Sequence, residues 1–117
     1  MTKANIQIKV RTLSPSIAIL DILGEINAFA DEAINEAYSK ADQQNTASII
    51  LNFSEVTYIN STGIALIVGL MAKSRKNHKR LAVFGLSDHY VEIFEITRLA
   101  EFMTIYPNET SALETVA

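Results

Sequence analysis

A nearly uninterrupted apolar run, Ile49–Phe53, constrains the fold more than any other part of the sequence. Its β-branched and aliphatic residues are typical of a strand that is covered on both faces of a sheet. A few residues later, apolar side chains return at helical spacing, which predicts a helix that follows the strand after a short crossing. The positions expected to face the sheet are Ile64, Ile67, Val68 and Met71.

The turn before this helix, residues 60–63, carries two hydroxyl side chains and a glycine. Free backbone N–H groups and the positive end of the helix dipole favour an anion there, either a bound phosphate or a phosphate attached to a serine. Asn60 and Ser61 are also common N-cap residues, so a purely structural role as a helix cap is the simpler interpretation. Local spacing leaves both interpretations open.

The length of 117 residues suits one domain, which we expect to span residues 1–117. The chain has no cysteine, so disulfides and thiolate chemistry are excluded. The N-terminus lacks the apolar core of a signal peptide, and no apolar stretch is long enough to span a bilayer. We therefore expect a cytoplasmic protein that does not enter a membrane.

Five cations and His78 lie between residues 73 and 80, although the formal net charge of the chain is −3. Positive charge is favoured at the C-terminal end of a helix, so this segment is predicted to be a solvated helix end and turn. A nucleic-acid site normally shows a broader basic face with stacking aromatic residues. We expect no nucleic-acid partner.

Hydrophobic periodicity and turn residues predict nine elements. The first three are strands at about Ile6–Val10 and Ile17–Leu23 and a helix at about Ala30–Gln43, and the strand and helix described above follow them. The last four are a strand at Leu81–Leu86, a helix from about Ser87 to Phe102, a strand at Met103–Tyr106 and a helix after Asn108. The apolar positions of the helix from about Ser87 to Phe102 are Val91, Phe94, Ile96 and Leu99. The first two strands are predicted to form an antiparallel hairpin. The order β-β-α-β-α-β-α-β-α predicts an α/β fold with a mixed β-sheet and helices packed on it.

No constellation of residues points to catalysis. His78 and His89 have no partner at metal-ligand spacing, and Ser61 lacks the glycine two positions earlier that a nucleophile elbow requires. The four glycines are scattered and form no phosphate-cradling loop. We predict no catalytic residue, no metal and no cofactor, and we expect that the chain is not an enzyme.

The second predicted helix leaves two leucines unexplained. If its four apolar positions face the sheet, the 100° step per residue turns Leu66 and Leu70 to the opposite or flanking side. They would then form an exposed docking surface beside the serine-bearing turn, unless a neighbouring helix covers them. Both alternatives stay open.

Three motifs occur in order along most of the chain. They are Gly24-Glu25-Ile26-Asn27, then Ile50-Leu51-Asn52-Phe53 with Tyr58-Ile59-Asn60-Ser61-Thr62-Gly63, and Ile93-Phe94-Glu95-Ile96-Thr97-Arg98-Leu99. Together they resemble the STAS domain family in its small stand-alone form, the anti-sigma factor antagonists of bacteria. The resemblance implies a STAS-type mixed β-sheet over the whole chain.

The resemblance also implies a partner-switching signalling protein that regulates transcription. Its unphosphorylated form would bind an anti-sigma factor that is also a serine kinase of the histidine-kinase-like ATPase fold, and so free a sigma factor. Phosphorylation would release the complex, and a PP2C-type phosphatase would restore it. The implied acceptor is Ser61, with Thr62 the less favoured hydroxyl.

The predicted partner surface comprises Asn27, Asn60, Thr62, Gly63, Leu66 and Leu70. Asn27 and Asn60 stand where the family usually has aspartate, so a member that no longer switches, acting as a scaffold, remains an alternative. A sensor that binds a nucleotide or another anion at residues 60–63 is a second alternative. We expect a monomer or a weak dimer.

Overall fold

The computed structural model describes residues 5–42 and 46–116, and the predicted end of the first helix at Gln43 lies outside this range. The elements follow in the order β1 (Ile6–Ser14), β2 (Ile17–Ile26), α1 (Asp31–Ala41), β3 (Ser48–Ile59), α2 (Ser61–Lys76), β4 (Arg80–Phe84), α3 (Asp88–Ile96), β5 (Thr104–Tyr106) and α4 (Glu109–Val116). Short 3-10 helices at Ala28–Ala30 and Leu99–Glu101 precede α1 and β5. The predicted order of strands and helices is confirmed.

The five strands form one mixed sheet in the spatial order β1-β2-β3-β4-β5. β1 and β2 pair antiparallel, as the predicted hairpin requires, and every later pairing is parallel. Gly24 has φ +106°, and a side chain there would collide with the carbonyl oxygen of Asn5. Because L side chains rarely adopt that φ, a glycine suits the close approach of the hairpin ends.

The sheet is covered unequally on its two faces. The larger core joins α1, α2 and α3 to one face, with Tyr38, Ile67 and Phe94 among its buried side chains. The rings of Phe53 and Phe94 meet edge to face with their centroids 6.2 Å apart. On the other face the short helix α4 packs Ala112 against a smaller cluster of apolar side chains.

A polar network fastens α4 to the sheet. The guanidinium of Arg11 donates to both carboxylate oxygens of Asp21, at 2.6 and 2.9 Å, and to Glu109 at 2.6 Å. The side-chain amide of Asn52 donates to Asp21 at 2.7 Å. Burial alone would raise the pKa of the Asp21 carboxyl, but the hydrogen bonds from Arg11 and Asn52 outweigh it, so this pKa lies below its ordinary value.

Several boundaries differ from the sequence prediction, and two of them differ most. β3 continues to Ile59 beside β2, so the expected crossing after Phe53 is an irregular extension of the strand. α3 ends at Ile96 instead of near Phe102, because Arg98 adopts a left-handed conformation with φ 66° that a helix cannot continue. Of the apolar positions named for this helix, Phe94 and Leu99 are buried, whereas Ile96 is 72% exposed.

Candidate functional site

The candidate site lies where β2 and β3 end side by side. Ile26 and Ile59 are register partners in the parallel pair, and the backbone N–H of Asn60 donates to the carbonyl oxygen of Ile26 at 3.2 Å. One residue after Ile26, the side chain of Asn27 accepts a hydrogen bond from the backbone N–H of Phe29 at 2.9 Å. The turns after the two strands are therefore neighbours at the carboxyl edge of the sheet, where open α/β sheets usually place their sites.

Asn60 is the residue that caps α2. It has an extended backbone, and its side-chain oxygen accepts a hydrogen bond from the N–H of Gly63 at 2.8 Å. Its own carbonyl accepts the N–H of Ile64 at 2.9 Å, which is the first bond of the helix. Of the two residues that could have capped the helix, the structure selects Asn60 and leaves Ser61 without that role.

Ser61 and Thr62 are both exposed at the first turn of α2. Within the described part of the chain, the Ser61 hydroxyl makes no hydrogen bond, and neither does its backbone N–H or that of Thr62. The first turn of α2 also contains no acidic residue. Unpaired N–H groups at the positive end of a 16-residue helix make this turn favourable for a negative group.

Gly63 holds the turn close to the end of β2. A Cβ atom at this position would lie 2.0 Å from the carbonyl oxygen of Ile26 and 2.9 Å from the Cγ2 atom of Ile59. Only glycine therefore allows α2 to begin so near the sheet. Gly63 is buried and packs within the turn, and its place in the predicted partner surface stays a prediction.

The predicted orientation of α2 is wrong in part. The buried positions are Gly63, Ile67, Leu70 and Ser74, a helical stripe that contains one glycine and one serine. Leu70 is 3% exposed and packs in the core, while Leu66 is half-buried at its edge, so the two leucines do not form an exposed pair. Val68 points outward instead and is 40% exposed. Ile64, Ile67 and Met71 pack on the core as predicted, but the buried stripe is centred closer to Leu70, a shift that periodicity missed because Gly63 and Ser74 carry no hydrophobic signal.

Two exposed aromatic side chains on elements next to the turn were not predicted. Phe29 is 52% exposed in the 3-10 helix that contacts α2, and Tyr58 is 51% exposed two residues before the turn. Solvent exposure of single aromatic residues is ordinary, but Phe29 lies on an element that contacts α2 and Tyr58 is three residues before Ser61, which makes both candidates for partner contacts. A sequence pattern gives no sign of this exposure, because both residues resemble core positions.

A third residue that sequence reasoning missed is Tyr90, on α3. Its phenol oxygen accepts a hydrogen bond from the backbone N–H of Ile59 at 2.9 Å and donates to the carbonyl of the same residue at 3.4 Å. Tyr90 thus contacts the strand immediately before Asn60. The contact joins residues that are 31 positions apart, so no local motif could have indicated it.

Other classes of site receive no support from the side chains that the structure describes. In residues 5–42 and 46–116, no group of three or more metal-ligating side chains is close enough to hold a metal ion. No helix in the same ranges is long and apolar enough to cross a membrane. Of the residues predicted from sequence, Asn27, Asn60, Ser61 and Thr62 come together at the end of β2 and β3.

Comparison with known proteins assigns the family. A sequence model of the STAS domain matches residues 7–112, and the chain belongs to this family. The anti-sigma-B factor antagonist of Listeria monocytogenes is 30% identical over 86% of this chain and 89% of its own length. The protein of the same name from Staphylococcus aureus is 33% identical over 78% and 82%. These are names of regulators and not of enzymes, in agreement with the expectation stated above.

Solved structures support the same fold. The unphosphorylated form of the anti-sigma factor antagonist SpoIIAA superimposes with a TM-score of 0.75 at 22% identity, over 94% of this chain and 96% of that one. The phosphorylated form of SpoIIAA, described as a Bacillus cell fate determinant, gives a TM-score of 0.73 at 22% identity, over 95% and 100%. The five-stranded sheet with its helices is therefore a STAS fold.

Proposed function

We propose that this protein is an anti-sigma factor antagonist whose binding is switched by phosphorylation of Ser61. The observation that carries the proposal is the division of roles at the start of α2. Because Asn60 caps the helix, Ser61 is not needed for that role. Ser61 is exposed, and its hydroxyl makes no hydrogen bond within the part of the chain that the structure describes. An exposed and unbonded hydroxyl is available to a kinase without any cost to the fold.

The surroundings of Ser61 would accept a phosphoryl group. A phosphoserine adds a charge of about −1.5 to −2 at neutral pH. Here it would lie at the positive end of a helix whose first turn holds no carboxylate. The phosphorylated fold should therefore be at least as stable as the unmodified one. Loss of partner binding would come from the new charge at the contact surface and not from unfolding.

Asparagine at positions 27 and 60 is compatible with this switch. Each amide oxygen accepts the capping hydrogen bond of a helix, at the 3-10 helix for Asn27 and at α2 for Asn60. An aspartate could make the same bonds, so the geometry of the turn does not depend on the missing charge. In addition, the neutral amide of Asn60 would not repel a phosphate on Ser61, whereas an aspartate at this position would.

The proposed partner is an anti-sigma factor that is also a serine kinase of the histidine-kinase-like ATPase fold, with a PP2C-type phosphatase reversing the reaction. Relatives of this chain carry the name anti-sigma-B factor antagonist, which supports the first part of this proposal. The proposed contact surface comprises Asn27, Phe29, Ser61 and Thr62, with the exposed edge of Leu66. We further propose a cytoplasmic protein that is a monomer or a weak dimer.

The first test is the mass of the protein purified from its native cells, before and after phosphatase treatment. We expect a species heavier by one phosphate, removed by phosphatase and mapped to the peptide that contains Ser61. Protein that stays unmodified across several growth conditions would contradict the switch and favour a non-switching scaffold or a small-ligand sensor.

A second test uses Ser61→Asp in a tagged protein, with the amount of co-purified anti-sigma factor as the readout. We expect reduced capture with a nearly unchanged melting temperature. Ser111→Asp is the matched control, because it adds the same charge to the first turn of α4, on the other face of the sheet. A large fall in melting temperature with unchanged capture would refute the proposed mechanism.

A further inference from the structure

The end of β3 extends beyond one of its neighbours. β4 pairs with β3 only from Ser48–Arg80 to Asn52–Phe84. Gly85, with φ +81°, then turns the chain away beside Ser54. β2, on the other side, follows β3 as far as Ile59. The last residues of β3 therefore have a strand on one side only.

The backbone of Ile59 faces the side that has no strand. In a parallel pair, the backbone groups of successive residues point alternately to the two neighbouring strands. The N–H of Asn60 donates to Ile26 in β2, so the N–H and C=O of Ile59 point toward the position that a longer β4 would occupy. An unpaired backbone group in a partly buried position is costly, and Tyr90 meets both of these groups with one phenol oxygen.

We propose that Tyr90 is a positioning residue for the acceptor turn. Its hydroxyl makes the hydrogen bonds at Ile59 that a neighbouring strand would otherwise make. It thereby fixes the peptide groups on both sides of Ile59 and sets the direction in which the chain enters Asn60 and Ser61. This inference rests on the proposed function in that it takes Ser61 as the acceptor. It adds α3 to the elements that determine how the Ser61 hydroxyl is presented to a kinase.

Tyr90 is itself held in place from the first turn of α3. Its backbone N–H donates to the capping hydroxyl of Ser87 at 3.4 Å, and its ring meets the ring of His89 edge to face with the centroids 4.9 Å apart. The turn has two other supports, which are the Asn60 bond to Ile26 and the tight packing of Gly63. We therefore expect that removing the phenol oxygen leaves the fold intact and loosens only the junction between β3 and α2.

Amide hydrogen exchange of Tyr90→Phe tests the contact directly. The substitution keeps the ring and removes the hydroxyl. We expect the Ile59 amide to exchange about tenfold faster, as the loss of one hydrogen bond implies, while central amides such as that of Leu51 keep their rates. Tyr38→Phe is the matched control, because it removes a hydroxyl that accepts a bond from Ser74 at 3.3 Å without touching the turn.

The functional arm measures phosphate incorporation into Ser61 by intact mass, with native-cell lysate and ATP over a series of protein concentrations. We expect Tyr90→Phe to lower the apparent kcat severalfold with little change in KM, because the contact surface is retained and only the orientation of the hydroxyl is loosened. Tyr38→Phe should match the wild type in both constants.

Three results would overturn the proposal. They are an unchanged Ile59 exchange rate, an acceleration shared by all core amides, and a freed Ile59 amide with unchanged kcat. Absence of phosphate from wild-type Ser61 would instead overturn the proposed function. In that case the exchange rates still show whether Tyr90 holds the end of β3.

Discussion

The side-chain oxygen of Asn60 lies 2.8 Å from the backbone nitrogen of Gly63, and this contact decides which residue caps α2. We expect Asn60→Ala to lower the free energy of unfolding by about 1 kcal/mol, because the N–H of Gly63 loses its acceptor. Ser61→Ala should change it by less than about 0.5 kcal/mol, since the serine hydroxyl bonds to no described residue. Chemical denaturation of both variants measures the difference.

Asn60→Asp is the control for this prediction. An aspartate keeps the capping acceptor and adds a charge that the helix dipole favours, so stability should be maintained or increased. A Ser61→Ala variant that is destabilised as much as Asn60→Ala would assign the cap to the serine.

Gly63 and Gly69 lie on the same helix and should respond in opposite directions to alanine. Gly63→Ala places a Cβ atom 2.0 Å from the carbonyl oxygen of Ile26, a backbone atom that cannot move cheaply. We expect a loss of about 3 kcal/mol in the free energy of unfolding. Gly69→Ala meets no atom within 4 Å and should gain about 1 kcal/mol, because alanine is the better helix former. Equal effects in thermal melts would contradict the packing of the turn against β2.

Arg98 is a position where glycine should be stabilising. Its left-handed backbone, with φ 66°, strains any residue that has a Cβ atom. Its side chain is largely exposed and pairs only loosely with Glu101, at 3.7 Å. We expect Arg98→Gly to raise the free energy of unfolding by about 1 kcal/mol, as measured by urea denaturation. Arg98→Ala removes the same side chain but keeps the strain, so an equal gain from alanine would argue against this explanation.

Asp21 should make stability depend on pH in the acid range. Its pKa is lower in the folded protein than its ordinary 3.8, so its contribution is present above that value and is lost as the pH falls through the lowered pKa. We expect Asp21→Asn to cost about 1 kcal/mol at pH 7, after allowance for partial exposure. The difference from wild type should shrink below about pH 4. A difference that stays constant between pH 7 and pH 3 would exclude this carboxylate as the cause.

Much of the fold could be predicted because most helices and strands have a recognisable hydrophobic pattern or turn residues within their own segment of the sequence. The apolar run at Ile49–Phe53 and the helical spacing after it define β3 and α2, and the turn residues between Ser14 and Ser16 define the hairpin. The end of α3 could not be predicted, since nothing in the periodicity shows that Arg98 leaves the helical conformation. Local sequence patterns were therefore sufficient to predict which helices and strands form, but not the residues at which they end.

For the candidate site, the residues of the turn could be predicted from the sequence, but their individual roles and their packing could not. The residues of the turn could be named because a strand, two hydroxyls and a helix follow one another in sequence. The division of roles between Asn60 and Ser61 could not, because either residue can cap a helix. The contribution of Tyr90 and the burial of Leu70 depend on packing between distant elements, which no single segment encodes.

The length of α2 has a consequence for the electrostatics of a phosphorylated protein. At 1.5 Å per residue, about 18 Å of helix separates Ser61 from Lys73, the first cation of its last turn. This is more than twice the Debye length of about 8 Å at physiological ionic strength. The cations of α2 therefore cannot neutralise a charge placed on Ser61. The helix dipole would offset only part of a phosphate's charge, and the remaining negative charge would act mainly on a protein that approaches within about 10 Å of the turn.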